Sequence, residues 1–298
     1  MNWFFFALIA AMLWALDNVL DKFILTKRLK DAYSYDILTN LNDIFPAILV
    51  LLIVPITFNI VFSTIAFLFG ALTVFALLYY NKSMMKDEAS RISSLEWTSP
   101  IFVAIIAFFL LNQTLSTLSY VGILLVVFGA VIVSREKIRK NKIIYSPVLG
   151  TILIFSFLSA IGDVVSDFSL NYINFLSFFF WASVGSVLSS VAMLGFPIVR
   201  KNFKREMKTI TIKTFLMILS VSVFYYIAEV SFYVALSEGL VTLVSAIVAT
   251  QPLFTFFYTL GLSFYKPRVL REKFDTFSLI TKIIGIVVII CGVWLILS

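Results

Sequence analysis

The side chains in this sequence best placed to do chemistry are acids set inside long apolar runs. Asp17 and Asp21 lie four residues apart in the first run, and Asp163 and Asp167 repeat that spacing in the sixth. Glu96 and Glu229 stand in the fourth and eighth. A spacing of four puts two side chains on one helix face. A carboxylate in hydrocarbon costs about 2.5–3.5 kcal/mol on insertion scales, so each acid needs a partner, a wetted cavity or a task. The candidate tasks are binding a cationic solute and carrying a proton. Plainer readings stand beside them. Asp21 can pair with Lys22 or Lys27, Glu96 with Arg91, and Asp167 can simply be hydrated. Glu229 has Tyr225, Tyr226 and Tyr233 on nearby faces. In the second run Asp36, Asn40 and Asp43 form a polar stripe, with Asp36 expected at the rim and the other two facing inward.

Other chemistries are excluded by composition. There is no histidine, which removes His-based acid–base catalysis and ordinary zinc sites. The single cysteine, Cys291, excludes an intramolecular disulfide. No nucleophile motif or soluble catalytic loop suggests an enzyme, and neither a metal nor a cofactor is expected.

The elements that must hold these acids are membrane helices. The chain has 298 residues, 61% of them hydrophobic and only 13% charged, where a soluble domain carries roughly 25% charge. A bilayer is the solvent that suits such a chain. Runs long enough to cross its ~30 Å core number ten: about Trp3–Leu25, Tyr35–Thr57, Val61–Asn81, Ser90–Leu111, Leu115–Ser134, Ser146–Leu170, Phe175–Val199, Thr214–Leu236, Val241–Phe264 and Phe277–Leu297. The first has no basic leader and reads as a span, not a signal peptide. All 23 lysines and arginines fall at the 1–2, 3–4, 5–6, 7–8 and 9–10 connections. By the positive-inside rule these face the cytoplasm of a cell-membrane protein, and both termini face out. No aromatic–basic module accompanies them, so a nucleic-acid partner is not expected. Asp163, Asp167 and Glu229 then lie on the half without basic residues. They must be protonated, hydrated or balanced by a cation from solution.

The chain also repeats itself. Asp17-x-x-x-Asp21 matches Asp163-x-x-x-Asp167, and the segment Leu95–Phe102 with Pro100 matches Ile247–Phe254 with Pro252. Gly122 and Gly129 match Gly285 and Gly292. Five helices per unit is an odd number, so the second copy enters from the opposite side. The expected fold is an all-α integral membrane protein of ten transmembrane helices, arranged as two inverted five-helix repeats at residues 1–143 and 144–298. Pro100 and Pro252 read as hinges or tolerated kinks. Asp21 and Asp167 are candidate gating residues beside them. The glycines read as close-packing faces, against each other or in a homodimer.

This arrangement resembles the drug/metabolite transporter superfamily, in particular EamA-type ten-helix carriers. The stretch from Gly70 through Ser83 to Pro100, its copy from Tyr233 through Ala235 to Pro252, and the paired glycines carry the resemblance. Two departures stand out. Asn112-Gln113 occupies a place where the family often has Gly-Glu. Many relatives also keep both termini in the cytoplasm. The resemblance implies a cavity lined by spans 1, 3, 4, 6, 8 and 9. The expected function is secondary transport, directed outward, of a small polar metabolite or cationic compound, with protons as the candidate coupling ion. Asp17, Asp163, Glu229 and Glu96 would set the charge of the cavity, and Trp14, Trp97, Tyr226 and Gln251 its shape. The alternatives are a divalent-cation or channel-like conduit and a non-transporting membrane scaffold.

Overall fold

The computed structural model describes residues 2–87, 89–96, 98–133, 148–265 and 276–297. Every described element is a helix: α1 (Asn2–Lys27), α2 (Ala32–Leu41), α3 (Ile44–Ile53), α4 (Ile60–Met84), α5 (Ala89–Glu96), α6 (Ser99–Leu111), α7 (Thr117–Val133), α8 (Leu149–Leu170), α9 (Phe175–Met193), α10 (Pro197–Thr209), α11 (Ile212–Glu238), α12 (Val241–Val248), α13 (Gln251–Tyr265) and α14 (Thr276–Leu297). Seven stretches are long and apolar enough to cross a bilayer, and shorter apolar helices at Ser99–Leu111, Thr117–Gly129 and Ile283–Ile296 fall in the fourth, fifth and tenth expected spans. Leu52, Phe109 and Trp294 are among many large apolar side chains facing outward. Such a surface suits lipid and not water. The protein is a multi-pass membrane protein.

Polar side chains start the helices. Asp31 accepts from the Ser34 amide at 2.9 Å to begin α2, Asn59 caps α4, and Asn174 accepts from the Ser177 amide at 2.8 Å to begin α9. Asn112 ends α6 in the left-handed region at φ 53°. Asparagine is the residue that best replaces glycine there, so the Asn112 departure preserves the helix stop.

Several spans are broken where the sequence reads as continuous. The second span divides into α2 and α3 at Asn42-Asp43, and Pro46, in the first turn of α3, has no N–H with which to continue the ladder of α2. The fourth and ninth divide into α5–α6 and α12–α13. Pro100 and Pro252 each lie in the first turn of the later helix. This corrects their reading as bends within one helix: a proline in the first turn sacrifices no hydrogen bond, so each starts a new helix. The seventh span stops at Met193, and the basic segment expected as loop folds as the separate helix α10.

Small residues set the packing. A Cβ on Gly70 would lie 1.8 Å from the Ala182 carbonyl oxygen, and one on Gly185 would lie 2.0 Å from that of Phe67. The backbones of α4 and α9 therefore touch. Between α7 and α14, a Cβ on Gly122 would lie 2.7 Å from the Gly292 oxygen and one on Gly129 2.8 Å from that of Gly285. The four repeated glycines pack against each other inside one chain, which is the first of the two uses expected for them.

The basic connections described here share one end. Lys82 donates to the Tyr33 hydroxyl at 2.8 Å, and Asn202 of α10 donates to Asp31 at 3.1 Å. At the other end Asn174 donates to the Thr57 hydroxyl at 3.1 Å, joining two connections that carry no basic residue. The basic residues at 135–142 and 266–273 lie outside the described residues.

Candidate functional site

Asp17 and Asp21 occupy successive turns of the basic-end half of α1, and both are buried. Asp21 accepts a hydrogen bond from Tyr35 at the start of α2, not from a lysine. Lys22 instead sends its ammonium to the carbonyls of Met84 and Asp87, where it caps the end of α4. Of the two lysines that could pair with Asp21, Lys22 is therefore turned to these carbonyls. Glu96 ends α5 and has Asp17 and Asp21 as charged neighbours, while Ser156 of α8 donates to its carbonyl at 2.7 Å. Three acids from two distant segments thus meet in one group, beside the phenols of Tyr35 and Tyr80.

A second group lies farther from the basic end. The α2–α3 break points Asp43 inward, where Ser186 of α9 donates to both Asn40, at 3.1 Å, and Asp43. Asn42 donates to Ser222 of α11 at 2.8 Å. Asp163 accepts from Ser245 of α12 at 3.0 Å. Glu229 has Asp163 and Asp43 as charged neighbours and faces Tyr225 and Tyr233. Counting 1.5 Å per residue from the basic ends of their helices, the acids climb from about 9 Å at Asp21 to about 25 Å at Glu229.

Both groups open into one cavity with about 1330 Å³ of atom-free space, its mouth included. Asp17, Asp21, Glu96, Asp43, Asp163 and Glu229 all line it, with Trp14, Tyr226 and Gln251. Phe69, Leu72, Leu77, Phe155 and Leu158 supply apolar wall. Among the described residues, no lysine or arginine is in its lining. Asp17 and Tyr80 are 7% and 3% exposed, and Asp17 Oδ1 and the Tyr80 hydroxyl find no hydrogen-bond partner among the described residues. A buried polar atom left unpaired costs about 1–3 kcal/mol, which a ligand or water in the cavity would relieve.

Of the residues expected to form the site, Trp14, Asp17, Asp21, Glu96, Asp163, Tyr226, Glu229 and Gln251 line this cavity. Trp97 lies outside the described residues. Pro100, Pro252 and Asp167 are not among its lining. Asp36 is fully buried and accepts from Asn81 at 3.2 Å, which corrects its placement at the rim. Sequence reading missed Tyr35, Tyr80, Ser186 and Ser245, which are ordinary residue types without a motif.

Asp167 belongs to a contact at the end away from the basic connections. Gln113, after α6, donates to Asp167 at 3.2 Å and accepts from Thr242 of α12 at 3.2 Å. The amide therefore ties the α6–α7 connection to two other helices. A glutamate, frequent in the resembled family, would face Asp167 with like charge and no donor. Gln113 makes that departure intelligible.

A search of curated proteins finds no match. A solved structure titled only "Crystal structure of protein" superimposes with a TM-score of 0.70 at 12% identity, over 98% of this chain and 94% of the other. That likeness shows a shared fold alone. Residues 1–135 match the model of the EamA-like transporter family, a part of the drug/metabolite transporter superfamily.

Proposed function

We propose that the protein is a secondary transporter that moves a small cationic solute through the central cavity. The carrying observation is that six carboxylates line one cavity, with no basic residue in its lining among the described residues. Anions would meet like charge there, and a cation supplies the missing partner. Transport is the activity of the matched family. Outward movement and coupling to protons complete the reading, because the same acids can hold either a proton or the solute.

The proposed architecture is ten spans in two inverted repeats, residues 1–143 and 144–298. Helix pairing supports it. Under that symmetry α1 on α11 corresponds to α8 on α4, and α1 on α12–α13 corresponds to α8 on α5–α6; all four packings are present. The α4–α9 pair is closely packed, while its counterpart, α2–α3 with α11, touches sparingly. Such inequality between equivalent pairs is what one of two exchangeable states would display. The basic end is assigned to the cytoplasm of a cell-membrane protein, with both termini outside. A divalent-cation conduit has less support, since among the described residues no three acids gather closely enough to hold a metal ion.

The test is uptake of radiolabelled alkylammonium ions by proteoliposomes under an imposed pH gradient. The wild type should accumulate them, and Asp17→Asn or Glu229→Gln should abolish accumulation. Equal uptake by all three proteins, or none by the wild type, overturns the proposal. Accumulation that ignores the pH gradient overturns the proton coupling alone.

A further inference from the structure

The acids of the cavity form a ladder along the bundle, and its two ends differ in their charged neighbours. Asp17, Asp21 and Glu96 form one group, and Asp43, Asp163 and Glu229 form the other. Their centres lie about 10 Å apart along the bundle, from the helix rise of 1.5 Å per residue. Each group is rimmed by phenols: Tyr35 and Tyr80 in the first, Tyr225 and Tyr233 in the second. Aromatic faces attract ammonium groups, and a primary ammonium has three donors to share between carboxylate and phenol oxygens. The wall contributed by Phe69, Leu72, Leu77, Phe155 and Leu158 is apolar. It suits a hydrocarbon chain and gives nothing to a hydrated metal ion.

Building on the transport reading, we propose that the ligand is a linear organic dication, an α,ω-diamine, with one ammonium in each acidic group and its methylene chain along the apolar wall. Asp17 Oδ1 and the Tyr80 hydroxyl, buried at the cavity and without partners among the described residues, are oxygens that the first ammonium would satisfy. The two-group layout separates this ligand from its rivals. A monoamine fills one group and leaves the other uncompensated. A divalent metal needs its oxygens gathered around one point, and among the described residues no three acids are so gathered.

The experiment is calorimetric titration of the purified full chain in detergent, at constant ionic strength, with n-butylamine, putrescine, hexamethylenediamine, octamethylenediamine and magnesium chloride. The best diamine should bind about tenfold or more tightly than n-butylamine, with affinity peaking at one chain length. Asp17→Asn and Glu229→Gln should each remove the advantage of the diamine over n-butylamine. Tryptophan-fluorescence melting reports that the variants are folded, and the wild-type series stands without them. If n-butylamine binds as tightly as every diamine, the dication is overturned and cation transport survives. Magnesium binding more tightly than the diamines also overturns it. If no amine binds, both this inference and the transport of cations fall.

Discussion

Replacing Gly70 or Gly185 with alanine should separate α4 from α9. The added methyl would lie 1.8 Å from the Ala182 oxygen at Gly70 and 2.0 Å from the Phe67 oxygen at Gly185. A carbon and a carbonyl oxygen in contact stay about 3.3 Å apart, so the helices must part by roughly 1.5 Å. Both obstacles are backbone and cannot rotate away. Overpacking of this kind costs about 1–3 kcal/mol, and a shift of this size belongs at the upper end. At ~2–4 °C per kcal/mol, the midpoint of thermal unfolding should fall by several degrees. The double variant should cost less than the sum, because helices already parted at one glycine leave room at the other. Gly150→Ala and Gly261→Ala are the controls, since a Cβ at either meets nothing within 4 Å. The assay is tryptophan-fluorescence melting of detergent-solubilised protein. If the Gly70 and Gly185 variants melt with the controls, the contact between these backbones is wrong.

Three further perturbations follow from the site. Tyr35→Phe removes the donor to Asp21 and leaves a buried carboxylate oxygen short of a partner, at a cost of about 1–3 kcal/mol in the same melting assay. Lys22→Met strips the charged cap from the carbonyls of Met84 and Asp87 and should destabilise by about 1.5–3 kcal/mol per charged bond lost, read as earlier melting and faster proteolysis after α4. Gln113→Glu replaces the donor to Asp167 with a like charge, so a cysteine placed at Thr242 should be labelled faster than in the parent protein.

Much of the fold was legible because the bilayer writes it into the sequence. A chain whose backbone must satisfy itself in lipid announces helices by their apolar length, and the cluster of basic connections at one end follows from the same constraint. Asp17, Asp163 and Glu229, which line the cavity, were legible as candidates because charge is rare and costly in such runs. The partners were not. Tyr35 and Tyr80 look like any of the twelve tyrosines until the fold brings them to Asp21 and Glu96. Asp36 was placed at the rim because it stands near a basic connection. Asp31 starts α2 earlier, however, which carries Asp36 into the bundle beside Asn81. Pro46, in the first turn of α3, marks the break at Asn42-Asp43 as Pro100 and Pro252 mark theirs, since a proline there ends one helix and starts the next. Asn112 read as a departure from the resembled pattern, although its φ of 53° preserves the conformation that glycine supplies.

The central claim is that the cavity admits cations in preference to anions, and one rate ratio measures it without knowledge of the solute. Ser159 lines the cavity, and Cys291 is exposed and not among its lining residues. Cysteine is introduced at Ser159 in a Cys291→Ser background, and its reaction with cationic and anionic methanethiosulfonate reagents is timed in detergent. Dividing that ratio by the same ratio for 2-mercaptoethanol free in solution removes the reagents' intrinsic difference. The account predicts a normalised preference for the cation of about tenfold, as six carboxylates at short range imply, falling toward one when Asp17→Asn and Glu229→Gln are combined. A normalised ratio of one in the protein with all its acids, or a preference for the anion, contradicts it.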